Sequence, residues 1–121
     1  MQIFNNNDIK INEFDTSLAD DDEKRGYGLM NLDFLPKNQA MLFLFDENEI
    51  IHMWMKNTKI SLDMLFIDTN DKISIKRNAT PYSLDIISSE KPVVKVLEIN
   101  GGLSKKLGIE IGNKIKTISQ K

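Results

Sequence analysis

The sequence contains no cysteine and a single histidine, His52. Without cysteine the chain can form no disulfide, has no thiol nucleophile and cannot bind zinc through thiolates. One imidazole without a second histidine is more typical of a strand surface than of a metal ligand or a general base. We therefore predict no metal site and no cofactor. The redox compartment stays open, because cysteine-free chains occur in reducing and oxidising compartments alike.

Long apolar runs and a strong charge imbalance are also missing. No run approaches the roughly 20 apolar residues that a membrane helix needs, and the first residues lack the apolar core of an export signal. The formal net charge is -2 at pH 7, and the basic residues form no stripe. We therefore expect no transmembrane segment and no nucleic-acid partner.

The remaining composition is that of a soluble globular protein. The chain has 121 residues, of which 40% are hydrophobic and 28% charged. This length is sufficient to bury a core without metals or disulfides. No repeat, linker or low-complexity tract interrupts it, so we expect one domain over residues 1–121 and a monomer.

Short apolar runs bounded by turn residues predict a mostly β fold. The apolar runs on either side of residues 46–49 predict a hairpin over residues 40–56. A second hairpin is predicted over residues 62–79, with its turn at 69–71. Further strands are expected within residues 8–19, 92–99 and 114–119.

Two short helices complete the prediction. Asp20 stands in N-cap position for the first helix, and Gly26 and Gly28 end it within two turns. Residues 103–108 form the second, which Gly108 can stop. Together these elements predict a single antiparallel β-sandwich or open barrel with two short helices.

Several motifs occur in the order and spacing of one known family. They are "GLM" at residues 28–30, "AMLFLF" at 40–45, "WMKNTKISLDMLFID" at 54–68, and "VLEINGG" at 96–102 followed by "LGIEIGNKI" at 107–115. From about residue 8 to residue 118 the chain resembles the domain of unknown function 192 family. The resemblance implies a compact β-sandwich with short helices and no established reaction. Family relatives often carry an export signal or lipid anchor, so a trimmed periplasmic or extracellular protein is compatible with this sequence.

The chain departs from the family pattern around the first motif. The family often has arginine just before Gly-Leu-Met and again soon after it, whereas here Tyr27 precedes the motif and Asn31 and Leu32 follow it. An anion site of the kind that such arginines would build therefore rests on Arg25 alone.

The segment "HMWMKNTKISLD" at residues 52–63 holds the only tryptophan and the only histidine. In an extended strand, Met53 and Met55 share one face, which we assign to the core. Trp54 lies on the other face, either packed under a second apolar layer or exposed as a platform for a ligand. Packing is favoured, because aromatic side chains more often bury area than bind ligands.

The polar residues after Trp54 have a structural and a functional interpretation. Asn57 and Thr58 can satisfy backbone groups of a bend, while Asp63 accepts from that bend or pairs with Lys56. Alternatively, these side chains converge beside Trp54 as a small-molecule site. The candidate ligand-binding residues are Trp54, Lys56, Asn57, Thr58, Asp63 and Arg25.

No nucleophile is paired with a base at a recognisable spacing, so binding is favoured over catalysis. We predict a non-enzymatic ligand-binding or accessory module for a small molecule or a protein. A hydrolase using Asp63, with Glu98 as second carboxylate, is one alternative. A peptide-binding module is another, because residues 103–115 and "YGLM" at 27–30 weakly resemble the helix and carboxylate-binding loop of a PDZ domain.

Overall fold

The computed structural model describes residues 1–116. These residues form eight strands and two short helices: β1 (Gln2–Phe4), β2 (Lys10–Glu13), β3 (Asp15–Ala19), α1 (Asp22–Tyr27), β4 (Gln39–Met53), β5 (Leu62–Ile67), β6 (Ile73–Ala79), β7 (Ile87–Asn100), α2 (Leu103–Lys106) and β8 (Lys114–Lys116). The prediction of a mostly β fold with two short helices is confirmed.

The strands form two sheets. One has five strands in the order β3-β4-β7-β5-β6, and the other has three in the order β2-β1-β8. Neighbouring strands are antiparallel except β3 and β4, which run parallel from the Asp15–Gln39 pair to the Ala19–Phe43 pair. The parallel pair arises because α1 forms part of a crossover between them, and parallel neighbours need such a crossover. The antiparallel prediction therefore holds with this one exception.

The hairpin predicted over residues 40–56 is wrong. β4 continues through residues 46–49 and pairs antiparallel with β7, with a register shift between Leu44 and Glu49. The outer half of β4 has only β7 as a neighbour, so this part of the sheet is a two-stranded ribbon. Residues 46–49 are exposed there. Their polarity therefore reflects solvent contact and not a reversal of the chain.

The hairpin predicted over residues 62–79 is confirmed, since β5 and β6 pair antiparallel up to Ile67 and Ile73. The strand expected at 92–99 begins earlier, at Ile87. The strand expected within residues 8–19 divides into β2 and β3, which belong to different sheets.

Three smaller differences concern one additional strand and the ends of two elements. The additional strand is β1, which was not predicted and which joins β2 to β8 in the three-stranded sheet. The N-cap of α1 is Asp21 and not Asp20, because the Asp21 side chain accepts from the Lys24 backbone nitrogen at 2.7 Å. Of the last predicted strand, residues 114–116 form β8, and residues 117–119 lie outside the described residues.

The two faces of the five-stranded sheet carry separate apolar clusters. We call the face that packs against the three-stranded sheet the sandwich face; there Leu65 joins Ile3 and Ile115. The opposite face, which we call the pocket face, packs Met64 against Leu29 and other residues that follow α1. Successive residues of β5 alternate between the two faces, as strand geometry requires.

Candidate functional site

A cavity of about 520 Å³ lies on the pocket face. Its walls come from three parts of the chain: α1 with residues 26–30, the outer half of β4 with the segment up to residue 58, and single residues of β5 and β7. These parts are far apart in sequence, so the cavity exists only once the sheet and α1 have come together. Its size is within the range of small-molecule sites.

Four of the six candidate residues line this cavity, namely Arg25, Trp54, Lys56 and Thr58. Trp54 is 43% exposed, so the favoured prediction that it packs in the core is wrong. The Lys56 ammonium lies 5.2 Å from the centroid of the Trp54 ring, within cation–π range. Met55, between them in sequence, is fully buried, as predicted.

The bend after Trp54 is closed largely by its own hydrogen bonds. The Thr58 hydroxyl donates to the Lys56 carbonyl at 3.1 Å, and the Thr58 backbone nitrogen donates to the Met55 carbonyl at 3.1 Å. Asn57 is exposed and has φ of 52°, a left-handed conformation that asparagine tolerates better than most residues. It does not line the cavity. Its carbonyl accepts from the Asn31 backbone nitrogen at 2.8 Å, which ties the bend to the segment after α1.

Arg25 forms one wall, but its guanidinium is already bound. Nη2 donates to Asp22 at 2.9 Å and Nη1 donates to the Leu44 carbonyl at 2.6 Å. Asp46 lies 4.0 Å away, and the Phe45 ring centroid is 5.7 Å from the guanidinium carbon. The hydrogen bond with Asp22 raises the pKa of Arg25. The side chain therefore fixes α1 to β4, and its charge is largely neutralised within the chain.

Asp63 lies on the sandwich face, away from the cavity. It is fully buried, and its Oδ1 accepts from the backbone nitrogens of Asn78 at 2.8 Å and Gly102 at 3.1 Å. Its Oδ2 accepts from the backbone nitrogen of Ser104 at 2.9 Å. The predicted donors in the bend and the predicted pairing with Lys56 are wrong, because the alternation of β5 turns Asp63 to the face opposite the cavity. Asp63 instead fastens β6 and the start of α2 to the sheet.

Glu98 of β7 is the residue that our interpretation of the sequence undervalued. Its side chain lines the cavity and is 3% exposed, with Met41 and Met64 as cross-strand neighbours. Within residues 1–116 no group hydrogen-bonds or ion-pairs with its carboxyl. Burial raises the pKa of Glu98 from 4.5 to about 8, so the group is mainly protonated at neutral pH.

The available sequence signal for Glu98 was a lone acid within an apolar strand. We considered it only as a partner of Asp63 in a hydrolase. The two acids lie on adjacent strands but on opposite faces of the sheet, because Glu98 pairs with Met64 and Asp63 with Ile99. They cannot act together on one substrate.

The cavity is aromatic and predominantly acidic. Its aromatic rings are Tyr27, Phe43, Phe45 and Trp54. Its acidic side chains are Asp22, Asp46, Glu47, Glu49 and Glu98, and its basic side chains are Arg25 and Lys56. Such a surface suits a ligand with an apolar body and no negative charge.

Two further observations apply to the part of the chain that the structure describes. Residues 1–116 contain no group of three or more His, Asp or Glu side chains that could hold a metal ion. None of the helices in this range is long and apolar enough to cross a membrane.

Comparison with solved structures finds two chains of the same architecture. A crystal structure from Sinorhizobium meliloti 1021, described provisionally as a transcription regulator, shares 38% identity, with a TM-score of 0.91 over 95% of this chain and 89% of that one. A crystal structure of a protein of unknown function from Novosphingobium aromaticivorans DSM 12444 shares 32% identity, with a TM-score of 0.91 over 96% of this chain and 82% of that one. No functionally curated protein matches the chain.

A family profile also matches almost the whole sequence. The profile of DUF192, described as "Uncharacterized ACR", spans residues 3–117. The match starts a few residues before the resemblance at about residue 8, so that it includes β1. The chain therefore belongs to the domain of unknown function 192 family.

Proposed function

We propose that the protein is a non-enzymatic binding module whose small-molecule ligand occupies the cavity beside Trp54. The observation that carries this proposal is the combination of a cavity of about 520 Å³, aromatic walls and a buried acid, Glu98, that has no partner among residues 1–116. Ligand sites are typically apolar clefts with a few polar groups that fix the orientation of the ligand. Among residues 1–116 every fully buried side-chain nitrogen or oxygen has a hydrogen-bond partner, so the Glu98 carboxyl, which has none, meets the open space of the cavity. A ligand in the cavity can reach this carboxyl and supply the partner.

Binding is favoured over hydrolysis by the placement of the acids. Hydrolysis of the type considered above needs Asp63 and a second carboxyl group on either side of one cleft. Asp63 has three backbone donors on the sandwich face, whereas Glu98 lines the cavity on the other face. The pair therefore offers no support for a shared reaction centre.

Charge argues against two other partners. A transcription regulator that binds DNA directly would need a basic surface, but the formal net charge here is -2 and the cavity has more acidic than basic side chains. The "YGLM" segment, Tyr27 to Met30, does line the cavity, as a peptide-binding module would require. However, the acids around it would repel a peptide's C-terminal carboxylate.

The experiment is a ligand screen read by thermal unfolding and by the fluorescence of Trp54, the only tryptophan. Wild-type protein is tested against neutral sugars, carboxylic acids, nucleotides, amines, fatty acids and short peptides. A ligand that binds only the folded state at about 100 times its Kd stabilises the protein by about 2.7 kcal/mol. We expect at least one small-molecule class to raise Tm and to change the Trp54 emission.

Matched variants locate the binding. Gly26 lines the cavity, and a Cβ there meets nothing within 4 Å, so Gly26→Leu adds bulk at the wall without a backbone clash. Phe34→Ala removes an exposed aromatic ring outside the cavity. The stabilising ligand should lose its effect on Gly26→Leu and keep it on Phe34→Ala. The proposal is overturned if no class stabilises the wild type, or if the ligand stabilises both variants equally.

A further inference from the structure

Within residues 1–116, Glu98 has no counter-charge, although the cavity contains two cations. The Arg25 guanidinium is bound to Asp22 and to the Leu44 carbonyl, and the Lys56 ammonium lies over the Trp54 ring. Neither cation forms an ion pair with Glu98. An acid therefore lines the cavity, while the two cations of the cavity, Arg25 and Lys56, contact other groups.

The other charged and titratable groups that face the cavity do not compensate Glu98. Those of α1 are Asp22, Arg25 and Tyr27. Those of β4 and the segment after it are Asp46, Glu47, Glu49, His52 and Lys56. β5 contributes only Leu62 to the lining. Asp22 and Asp46 lie beside Arg25. In the part of the chain that the structure describes, the cavity acids without a counter-charge are therefore Glu47, Glu49 and Glu98.

The aromatic rings add a second, independent preference. Tyr27, Phe43, Phe45 and Trp54 line the same cavity, and aromatic faces attract cations through the ring quadrupole. Two of these rings already lie near a cation of the chain, since Arg25 is 5.7 Å from Phe45 and Lys56 is 5.2 Å from Trp54. Rings combined with an acid are the groups that recognise protonated amines and quaternary ammonium ions.

We propose that the cavity binds a small organic cation, a protonated amine or a quaternary ammonium, with Glu98 as its counter-charge and the aromatic rings as its walls. This inference rests on the proposed function above, because it names the class of ligand for the same cavity. The Lys56 ammonium marks where a ligand's cationic group can meet the Trp54 ring. Lys56 is exposed and can move aside.

Binding of such a cation is coupled to release of a proton. Burial raises the pKa of Glu98 to about 8 in the free protein, and an adjacent cation favours the ionised form. Affinity for the cation therefore rises with pH up to about 8 and is constant above that pH. Where ionisation of Glu98 is fully coupled to binding, the rise is about tenfold per pH unit. A ligand without charge has no such dependence on Glu98. His52→Asn leaves Glu98 in place and removes the imidazole that also faces the cavity.

The test compares cations with neutral molecules of the same shape. Choline is paired with 3,3-dimethyl-1-butanol, and benzylammonium with benzyl alcohol. Each is titrated at several pH values, with Trp54 emission and calorimetry as readouts. At pH 8.5 we expect the cation to bind about tenfold more tightly than its neutral partner, the scale of a desolvated cation–π and charge contact.

Two substitutions assign the preference to named groups. Glu98→Gln keeps the size of the side chain and removes the ionisable group, so the cation should lose its pH dependence and most of its advantage of about tenfold, keeping only the share that the aromatic rings supply. Lys56→Gln removes a competing ammonium, so cation affinity should rise several-fold while that of the neutral partner changes little. In His52→Asn the pH dependence should remain.

The two levels of the proposal fail in different ways. If neutral or anionic molecules bind in the cavity as tightly as the cations, or if Glu98→Gln keeps the preference, the inference about cations is overturned and the binding module stands. If no member of the wider screen stabilises the protein or perturbs Trp54, the proposed function itself is overturned.

Discussion

Asp63 and Glu98 are two buried acids on neighbouring strands of the same sheet. They are one register step apart, since Asp63 pairs with Ile99 and Glu98 with Met64. Asp63 faces the sandwich and accepts three backbone hydrogen bonds, whereas Glu98 faces the cavity and accepts none among residues 1–116. Burial at similar depth therefore has opposite meanings: one acid holds the fold together, and the other remains available for a ligand.

The largest expected difference between the two acids is the effect of pH on stability through Glu98. Its folded-state pKa is raised from 4.5 to about 8, so between these values the folded state binds more protons than the unfolded state. Stability should therefore fall as pH rises from about 4.5 to 8 and then level off. A shift of about 3.5 units, 8 minus 4.5, corresponds to at most about 5 kcal/mol.

Glu98→Gln isolates this effect in urea unfolding between pH 5 and 9. The variant should match the wild type at the acid end and exceed it by up to about 5 kcal/mol at the alkaline end. The Met1 ammonium, whose pKa burial lowers, titrates in both proteins and cancels in the difference. Parallel pH profiles of the two proteins would show that Glu98 does not carry a burial penalty.

The next largest effect is expected for Asp63→Ala. The change removes the acceptor of three backbone N–H groups. Ser104 is buried, whereas Asn78 is exposed and Gly102 is partly exposed, so water can replace the lost acceptor for two of the three. We expect a loss of about 3 kcal/mol, measured as a lower denaturant midpoint with an unchanged m-value.

Asp63→Asn is the matched control for this substitution. Its amide oxygen can still accept from Asn78 and Gly102, but its NH₂ group would face the Ser104 donor. It should therefore lose less stability than Asp63→Ala, about 1 to 2 kcal/mol. If Asp63→Ala were as stable as the wild type, the two acids would not differ in the way that their contacts indicate.

A third effect, a loss of about 2 kcal/mol in the free energy of unfolding, is expected for Gly101→Ala. Gly101 precedes Gly102, whose backbone nitrogen donates to Asp63. A Cβ at Gly101 would lie 2.3 Å from Ser61 Oγ and 2.9 Å from the Ser61 backbone carbon, so Gly101→Ala forces the two segments apart. Overpacking of this kind typically costs about 1 to 3 kcal/mol. Gly26→Ala on the cavity side is the control, since its Cβ meets nothing and alanine favours the helix. Equal midpoints for the two variants would contradict the close approach at Gly101.

The sequence predicted the strands better than the pairings between them. Alternation and turn residues were sufficient for the β5–β6 hairpin, because both strands and their turn are local. The polar residues 46–49 suggested a turn, but the same pattern also fits a strand that is exposed to solvent in a two-stranded ribbon. Local sequence does not distinguish the two cases. Which case applies depends on β7, about 40 residues later in the chain.

The candidate site was predicted only in part, because it too depends on contacts between segments that are distant in the sequence. Trp54 and Lys56 were predicted from their positions in the segment 52–63, and both line the cavity. Asp63 and Glu98 give the same sequence signal, a lone acid in an apolar strand, and only the assembled sheet shows which face each occupies. The cavity wall also requires α1, which packs there by way of Arg25 and Leu44. No local pattern encodes such a contact.

The smallest effect on stability is expected at the cavity wall itself. Trp54 is 43% exposed, so Trp54→Ala should lower the free energy of unfolding by only about 1 to 1.5 kcal/mol, since a large part of the residue already lies in water in the folded state. Met55, the next residue, is fully buried, and Met55→Ala should cost about 2 to 4 kcal/mol because it leaves a void in the core. Urea unfolding of both variants measures the difference. Equal costs would make the indole part of the core. A small cost for Trp54→Ala, together with weaker binding of the cavity probes, would instead show that Trp54 contacts the ligand. Trp54 would then serve binding, as Glu98 does, and not stability, as Asp63 does.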